Sequence, residues 1–354
     1  MSHKDVAIDG RMIGAEHEPY VICELSGNHN GSLERALKMI EVAASTGCDA
    51  IKLQTYTPDT ITMDCDRPEF WLRGGIWDGK SLYQLYGEAY TPYEWHPTLF
   101  AKARELGVTL FSSPFDASAV DLLEELGTPA YKVASFELVD LPLVAYIASK
   151  HKPIIMSTGM ANHAEIKAAV DTARSNGCKQ LVLLHCVSNY PAEIRDANVR
   201  TVPALAQEFD CPAGLSDHTM GSAASVSAVA LGACVIEKHF TLSRSDGGPD
   251  ASFSLEPHEF KALVNDCKLA HQALGHAHFE ALGSEQGSLQ FRRSIYVMRD
   301  VACGEILNTE HIRSIRPGLG MPPAKLWNVI GKPASRNLKR GEPLLEDMVE
   351  GGVE

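Results

Sequence analysis

The sequence predicts an α/β fold, a closed (β/α)8 TIM barrel followed by a small β-rich domain, and three observations predict it. Eight short runs of apolar and β-branched residues alternate with amphipathic stretches between Tyr20 and about Gly275. Those runs are apolar almost throughout, the mark of parallel strands buried on both faces. Eight such units in about 250 residues match the size of a closed barrel. A doubly wound open sheet would show a GxGxxG turn after its first strand, and none is present.

Taken in order, the strands are expected at YVICEL (20–25), DAIKLQT (49–55), VTLFSSP (108–114), AYKVAS (130–135), PIIMSTG (153–159), LVLLHCV (181–187), PAGLSD (212–217) and CVIEKHF (234–240). Between the first two, SLERALKMIEVAASTG carries Leu33, Leu37, Ile40 and Ala44 on one helical face, opens on a serine cap and stops at a glycine. HAEIKAAVDTARSNG and PTLFAKARELG repeat the pattern. Residues 56–91, with WLRGGIWDGKSLYQLYGEAYTP, exceed a plain βα loop and predict an insertion at the barrel mouth. The barrel is therefore expected over 1–275 and a polar linker over 276–290. From 291 to 354, FRRSIYVMRDVACGEILNTEHIRSIRPG and GEPLLEDMV alternate short strands with turns, a domain near the size where folding alone is marginal. Leu319, Met321, Leu326, Trp327 and Ile330 are expected to dock it elsewhere.

Composition narrows the class. Apolar residues make up 45% and charged residues 22%, ordinary for a globular protein. No apolar run reaches the ~18 residues of a membrane span, and MSHKDVAIDGRMIG lacks a secretory core, so no membrane partner is expected. The net charge of −13 argues against nucleic acid. Nine cysteines without a CxxC pair suggest neither a disulfide framework nor a thiolate zinc site, and the cytoplasm fits best. Cys23, Cys186 and Cys234, within strand runs, read as small apolar residues.

In such a barrel the chemistry sits at the C-terminal ends of the strands, and every predicted strand delivers polar groups there. The first four bring Glu24, Asn28 and His29, then Lys52 and Gln54, then Ser112 and Ser113, then Lys132, Ser135 and Glu137. The last four bring Ser157 and Thr158, then His185, Ser188, Asn189 and Tyr190, then Ser216, Asp217 and His218, then Glu237, Lys238 and His239. Lys52 and Lys132 lie in apolar strands, where an ammonium is costly unless paired with an anion. A salt bridge to a structural carboxylate, a Schiff-base lysine and an anion cradle each answer that cost. Two lysines with Ser112, Ser135 and Ser157 on adjacent strands favour a cradle for phosphate and carboxylate. His218 and His239 end neighbouring strands, ~4.8 Å apart, so both imidazoles can meet one divalent ion. With no thiolate in the set, a Mn²⁺- or Zn²⁺-type Lewis acid with open positions is the reading. One catalytic base beside one packing histidine is the alternative. Glu24 suits an acid/base, a group behind a metal, or a sugar-hydroxyl acceptor, and spacing does not choose.

CELSGNHNGSLE, IKLQTY, FSSPFD, YKVASFEL, MSTGM, LLHCVSNYP, GLSDHT, EKHF and RPG follow in order, and by them the whole chain resembles the sialic acid synthase family. The resemblance implies condensation of phosphoenolpyruvate with an amino-sugar aldehyde, and a C-terminal antifreeze-like (SAF) domain. GGIWDGKSLYQLYGEAYTPYEWH, SPFDASAVDLL, VASFELVDLPL and GGPDASFSLEP look like its pseudaminic branch, and Ala134-Ser135-Phe136-Glu137 stands where the other branches carry a GSGE-type turn. The implied sugar is then 2,4-diacetamido-2,4,6-trideoxy-L-altrose; N-acetylneuraminate or legionaminate synthesis is the alternative.

By the same resemblance His218 and His239 match the metal ligands, with Mn²⁺ the usual ion. Lys52, Lys132, Ser135 and Ser157 match the phosphoenolpyruvate site, Glu24 an essential glutamate near the metal, and Glu137 an acid/base. Asn28, Ser112 and Ser216 are placed among the substrate-binding groups with them. Tyr190 and Asp250 match sugar-site positions, and Arg316 an SAF arginine that reaches the partner's pocket in a domain-swapped homodimer. Ser188 stands where the sialate enzymes have an asparagine. Rival readings are a barrel aldolase using pyruvate and an ice-binding protein; the charged, irregular RRSIYVMRD and NLKRGE speak against the second.

Overall fold

Val6–Ile8 (β1) and Arg11–Ile13 (β2) pair antiparallel before any expected strand begins. Asp9 and Gly10 turn the hairpin with φ of 50° and 79°. Both being positive gives the turn whose twist matches that of the flanking strands. Val6, Ile8 and Ile13 join Tyr20, Ile22 and Phe111 in a buried cluster at the N-terminal end of the barrel, so the hairpin closes the floor.

This computed structural model describes residues 5–353; the first four residues of the N-terminal stretch and Glu354, at the end of the expected 291–354 domain, lie outside the described residues. The eight expected strands are all present: β3 (Tyr20–Glu24), β4 (Ala50–Thr55), β5 (Thr109–Pro114), β6 (Tyr131–Val133), β7 (Ile154–Ser157), β8 (Leu181–Cys186), β9 (Ala213–Asp217) and β10 (Val235–His239). They hydrogen-bond in chain order and β10 closes onto β3. The pairing is parallel throughout.

Strand residues alternate between two interiors. Val21, Ile51, Leu110, Val133, Met156, Leu183, Leu215 and Ile236 face outward into the core shared with the helices. The inward face is apolar at the floor and polar above it, as in Ile22 then Glu24, Ala50 then Lys52, and Phe111 then Ser113. That layering is why the strands read as near-continuous apolar runs with polar ends.

The helix Leu33–Ser45 starts where Ser32 accepts the Arg35 N–H at 3.2 Å. Its buried face is Ala36, Met39, Ile40 and Ala43, with Leu33 and Leu37 half-buried, so the expected face is rotated toward the alanines. Small side chains there let the helix approach the sheet closely. The segments His163–Ser175 and His96–Leu106 are helices as expected. Gly107, at φ 68°, stops the second in the left-handed conformation that glycine adopts without strain. The insertion folds as short helical turns, an isolated bridge between Trp71 and Ser81, and the helix Leu82–Ala89.

Contacts divide the chain into Met1–Gly275 and His276–Glu354. The second unit pairs Ser294–Val297 (β11) with Ile312–Ile315 (β12) antiparallel. It has its own core around Ile295, Leu307, Ile312, Val329 and Leu344. Here the docking expectation needs correction: Met321 is buried in that core and Leu326 and Ile330 pack against it, leaving Leu319 and Trp327 exposed. The polar linker is not fully extended, because Gly283–Phe291 winds as 3-10 helix. Among the described residues no helix is long and apolar enough to cross a membrane.

Candidate active site

Parity and register assemble the site. In register across the sheet, His239 of β10 lies beside Glu24 of β3, and Glu24 beside Lys52 of β4. Lys52 Nζ sits 2.9 Å from Glu24 Oε2 and 3.3 Å from Glu237 Oε1. Lys132 Nζ donates to Ser157 Oγ at 2.7 Å and to the Val133 carbonyl at 3.1 Å, and lies 3.9 Å from the same Glu237 oxygen. Ser216 Oγ donates to that oxygen at 3.3 Å. Both lysines are therefore paired inside the barrel with carboxylates, as the salt-bridge reading required, and also face hydroxyls, as the cradle required.

These pairings set the protonation. Burial opposes the charge of Glu237, but Lys132 and Lys52 overcome it and hold the carboxyl below its usual range. Burial lifts Glu24 above that range despite Lys52. Lys52 stays above the ordinary ammonium value, because Glu237 and Glu24 outweigh burial, whereas burial leaves Lys132 below it. Glu137, in the short turn after β6, is pushed up to about 7 by burial, and its Oε2 has no hydrogen-bond partner.

His218 and His239 come together, ring centroids 5.3 Å apart. His218 Nδ1 donates to the Val187 carbonyl at 3.0 Å, which fixes the tautomer and leaves Nε2 with a free lone pair. His239 Nδ1 is buried without a partner, and burial carries that imidazole far below its usual pKa, keeping it neutral. Burial opposes a charge on His218, but Cys186 outweighs it and draws that imidazole above its ordinary value, so His218 would give up its proton on taking a divalent ion beside His239. Among the described residues no group of three or more His, Cys, Asp or Glu side chains gathers as a closed metal site, so further ligands would be water or substrate. Cys186 Sγ lies 3.9 Å from His218 Nδ1; burial would raise its thiol, but His218 holds it down to about 7.

Aromatic rings wall one side. Tyr190 lies 4.4 Å from His218 and 5.3 Å from Phe253, centroid to centroid, and Phe253 lies 5.0 Å from His239. Trp77, from the insertion, packs on Tyr190 at 5.9 Å and donates its indole N–H to the Pro249 carbonyl at 2.9 Å. The insertion thus reaches the barrel mouth. Asp250, next in chain, is half-buried and takes the Ser26 hydroxyl. Ser135 Oγ accepts the Gly159 N–H at 3.1 Å; a Cβ on Gly159 would collide with Ser188 Oγ and Ser135 Oγ, so only glycine leaves room for both hydroxyls.

One expected residue sits elsewhere. Ser112 points outward, its hydroxyl 2.6 Å from Thr55 Oγ1, which in turn meets His96. Ser113, one residue on, faces Lys52 at 3.4 Å. Asn28 is buried and its amide donates to the Phe240 carbonyl and Ser254 Oγ, pinning the loop after β10. Arg316 lies in the second unit, exposed and without an ion pair among the described residues. Glu237, Ser113 and Gln54 share parity with Lys52 or His239 and were legible that way. Trp77 and Phe253 carry no local signal.

A closed (β/α)8 barrel whose strand ends gather acids, ammonium groups and paired imidazoles is the active site of a barrel enzyme for a small polar substrate. Residues 39–279 match the NeuB family and residues 292–350 the SAF domain. The chain belongs to the NeuB family, in keeping with the resemblance carried by its motifs. It is 43% identical over 325 residues to a pseudaminic acid synthase of Campylobacter jejuni, covering 92% of this chain and 95% of that one. It is 35% identical over 342 residues to an N,N'-diacetyllegionaminic acid synthase of Legionella pneumophila, covering 95% and 96%. Among solved structures it is similar to an N-acetylneuraminic acid (sialic acid) synthetase of Leptospira borgpetersenii, with a TM-score of 0.72, 31% identity, and coverage of 81% of this chain and 96% of that one.

Proposed function

We propose that the enzyme condenses phosphoenolpyruvate with 2,4-diacetamido-2,4,6-trideoxy-L-altrose and water, giving pseudaminic acid and phosphate. The observation that carries this reading is the inward cluster of Lys52, Lys132, Glu237 and Glu24 directly beside the histidine pair. Greater identity to the pseudaminic than to the legionaminic enzyme supports the choice of sugar.

Lys52 and Lys132, with Ser113, Ser157 and Ser216, bind the phosphate and carboxylate of phosphoenolpyruvate. The carbon–carbon bond forms between its C3 and the aldehyde carbon. Water adds at C2, and the C–O bond to phosphate then breaks. His218 and His239 would hold a divalent ion, Mn²⁺ in this reading, which when bound would supply Lewis-acid polarisation. Glu137, with a pKa of about 7, holds or releases a proton at its unpartnered Oε2. Tyr190, Phe253 and Trp77 exclude water and face the apolar groups of the sugar. Nine free cysteines suit a reducing cytoplasm. The active form is a homodimer in which Arg316 of each SAF domain enters the partner's site.

The test is incubation with phosphoenolpyruvate and a panel of amino sugars, reading product mass and free phosphate. One phosphate per diacetamido product is expected. Preference for N-acetylmannosamine, or condensation of pyruvate without phosphate release, rejects the reading.

A further inference from the structure

Seven non-glycine residues adopt positive φ among those described. Five are Asn, Asp or His, types that tolerate the left-handed region. Of the other two, Met160 is largely exposed, whereas Ser26, at φ 47°, is buried in the loop after β3. Glycine would make that turn without strain. A serine there is paid for by whatever its hydroxyl does.

The hydroxyl donates to Asp250 Oδ2 and accepts the Gln54 amide at 3.1 Å. The same Gln54 nitrogen donates to Glu24 Oε1 at 2.9 Å. The turn also aims the next backbone N–H, that of Gly27, at the Asp250 carboxyl. Gly27 is itself confined, since a Cβ would meet the Ala89 backbone at 2.9 Å. Through the Ser26 hydroxyl one left-handed turn thus grips a half-buried carboxyl 224 positions away in sequence. Backbone strain kept at a mouth loop of this kind persists where geometry is being fixed.

We infer that Ser26 is a positioning residue for the sugar half of the reaction: its strained turn fixes the orientation of Asp250 and couples it through Gln54 to Glu24. The inference rests on the proposed function in taking Asp250 as a sugar contact. It assigns Ser26 no contact with the phosphate cradle, because Lys52, Lys132, Ser113, Ser157 and Ser216 reach none of its partners except Glu24.

The experiment compares Ser26→Gly and Ser26→Ala in the full-length Mn²⁺-loaded enzyme. Glycine relieves the strain and removes the hydroxyl; alanine keeps the strain and removes the hydroxyl. Both should lower kcat/KM for the sugar by about tenfold or more, the scale of a lost hydrogen bond to a charged group. The KM for phosphoenolpyruvate should stay within about twofold of wild type. The Gly variant should melt at or above the wild-type temperature and the Ala variant below it, so the activity loss cannot be loss of fold. Ser26→Gly combined with Asp250→Asn should be no worse than Asp250→Asn alone. Near wild-type use of the sugar by Ser26→Gly, equal losses toward both substrates, or additive losses in the double variant would each overturn the inference. If wild type prefers a different sugar, the proposed substrate falls, and the same comparison run with the preferred sugar still decides the role of Ser26.

Discussion

Glu237 meets two lysines and a serine through one oxygen, while its other oxygen has no partner. A carboxylate so placed keeps both ammonium groups charged and apart until an anionic substrate arrives. Lys132 is the less firmly protonated of the two, because burial works against it and Glu237 is 3.9 Å away. Lys132→Met should raise the KM for phosphoenolpyruvate by about tenfold or more and that for the sugar far less, as steady-state kinetics with each substrate varied would show. A selective effect on the sugar removes Lys132 from the anion site. Glu137 gives a second prediction. Burial raises its folded pKa from 4.5 to about 7, so between those values the folded chain holds a proton that the unfolded chain has released. Its contribution to stability therefore falls as pH rises through that window. Melting temperatures of Glu137→Gln should lose this part of the pH dependence, and its kcat profile should lack a limb near pH 7 that is expected of wild type.

The strands and their polar ends were legible because a barrel strand buried on both faces must be apolar wherever it is not doing chemistry. The direction of a single side chain was less legible. SerSer at 112–113 can be read either way, and only pairing of Gln54 with Ser113 in register decides it. In the helix Leu33–Ser45, amphipathicity located the element, but close packing on alanines turned its buried face away from Leu33 and Leu37. The hairpin β1–β2 went unforeseen although its Asp-Gly turn was present, because three-residue strands carry too little pattern to stand out. The aromatic wall was illegible for a different reason: Trp77 and Phe253 each reach Tyr190 only through long-range folding. The hairpin has a measurable weight. Ile8 is fully buried against the floor, and Ile8→Ala should cost about 2–5 kcal/mol in denaturant unfolding of the barrel. A cost near zero would mean that the floor closes without it.

At the scale of the whole protein, the SAF unit has its own core yet leaves Leu319, Trp327 and Arg316 exposed. Such a surface suits a unit whose polar tip acts on another subunit. Co-expression tests this arrangement. His239→Ala and Arg316→Ala, each nearly inactive alone, should recover activity together, since a mixed dimer with exchanged tails has one site with both groups intact. Absence of recovery would mean that each tail serves its own barrel, or none.

The closed floor has a consequence for traffic. With Val6, Ile8 and Ile13 sealing the N-terminal end, reactants and products share a single doorway. Glu237 lies two residues below His239 along the same strand, so the proposed anion berth is deeper than the histidine pair and its aromatic wall. Whatever occupies the lower berth has to board first and disembark last. Phosphoenolpyruvate should therefore lead an ordered queue, and excess sugar, parked in the doorway of an empty barrel, should inhibit competitively against it. Isotope trapping would show prebound phosphoenolpyruvate carried forward to product on addition of sugar, while prebound sugar would be lost to the chase.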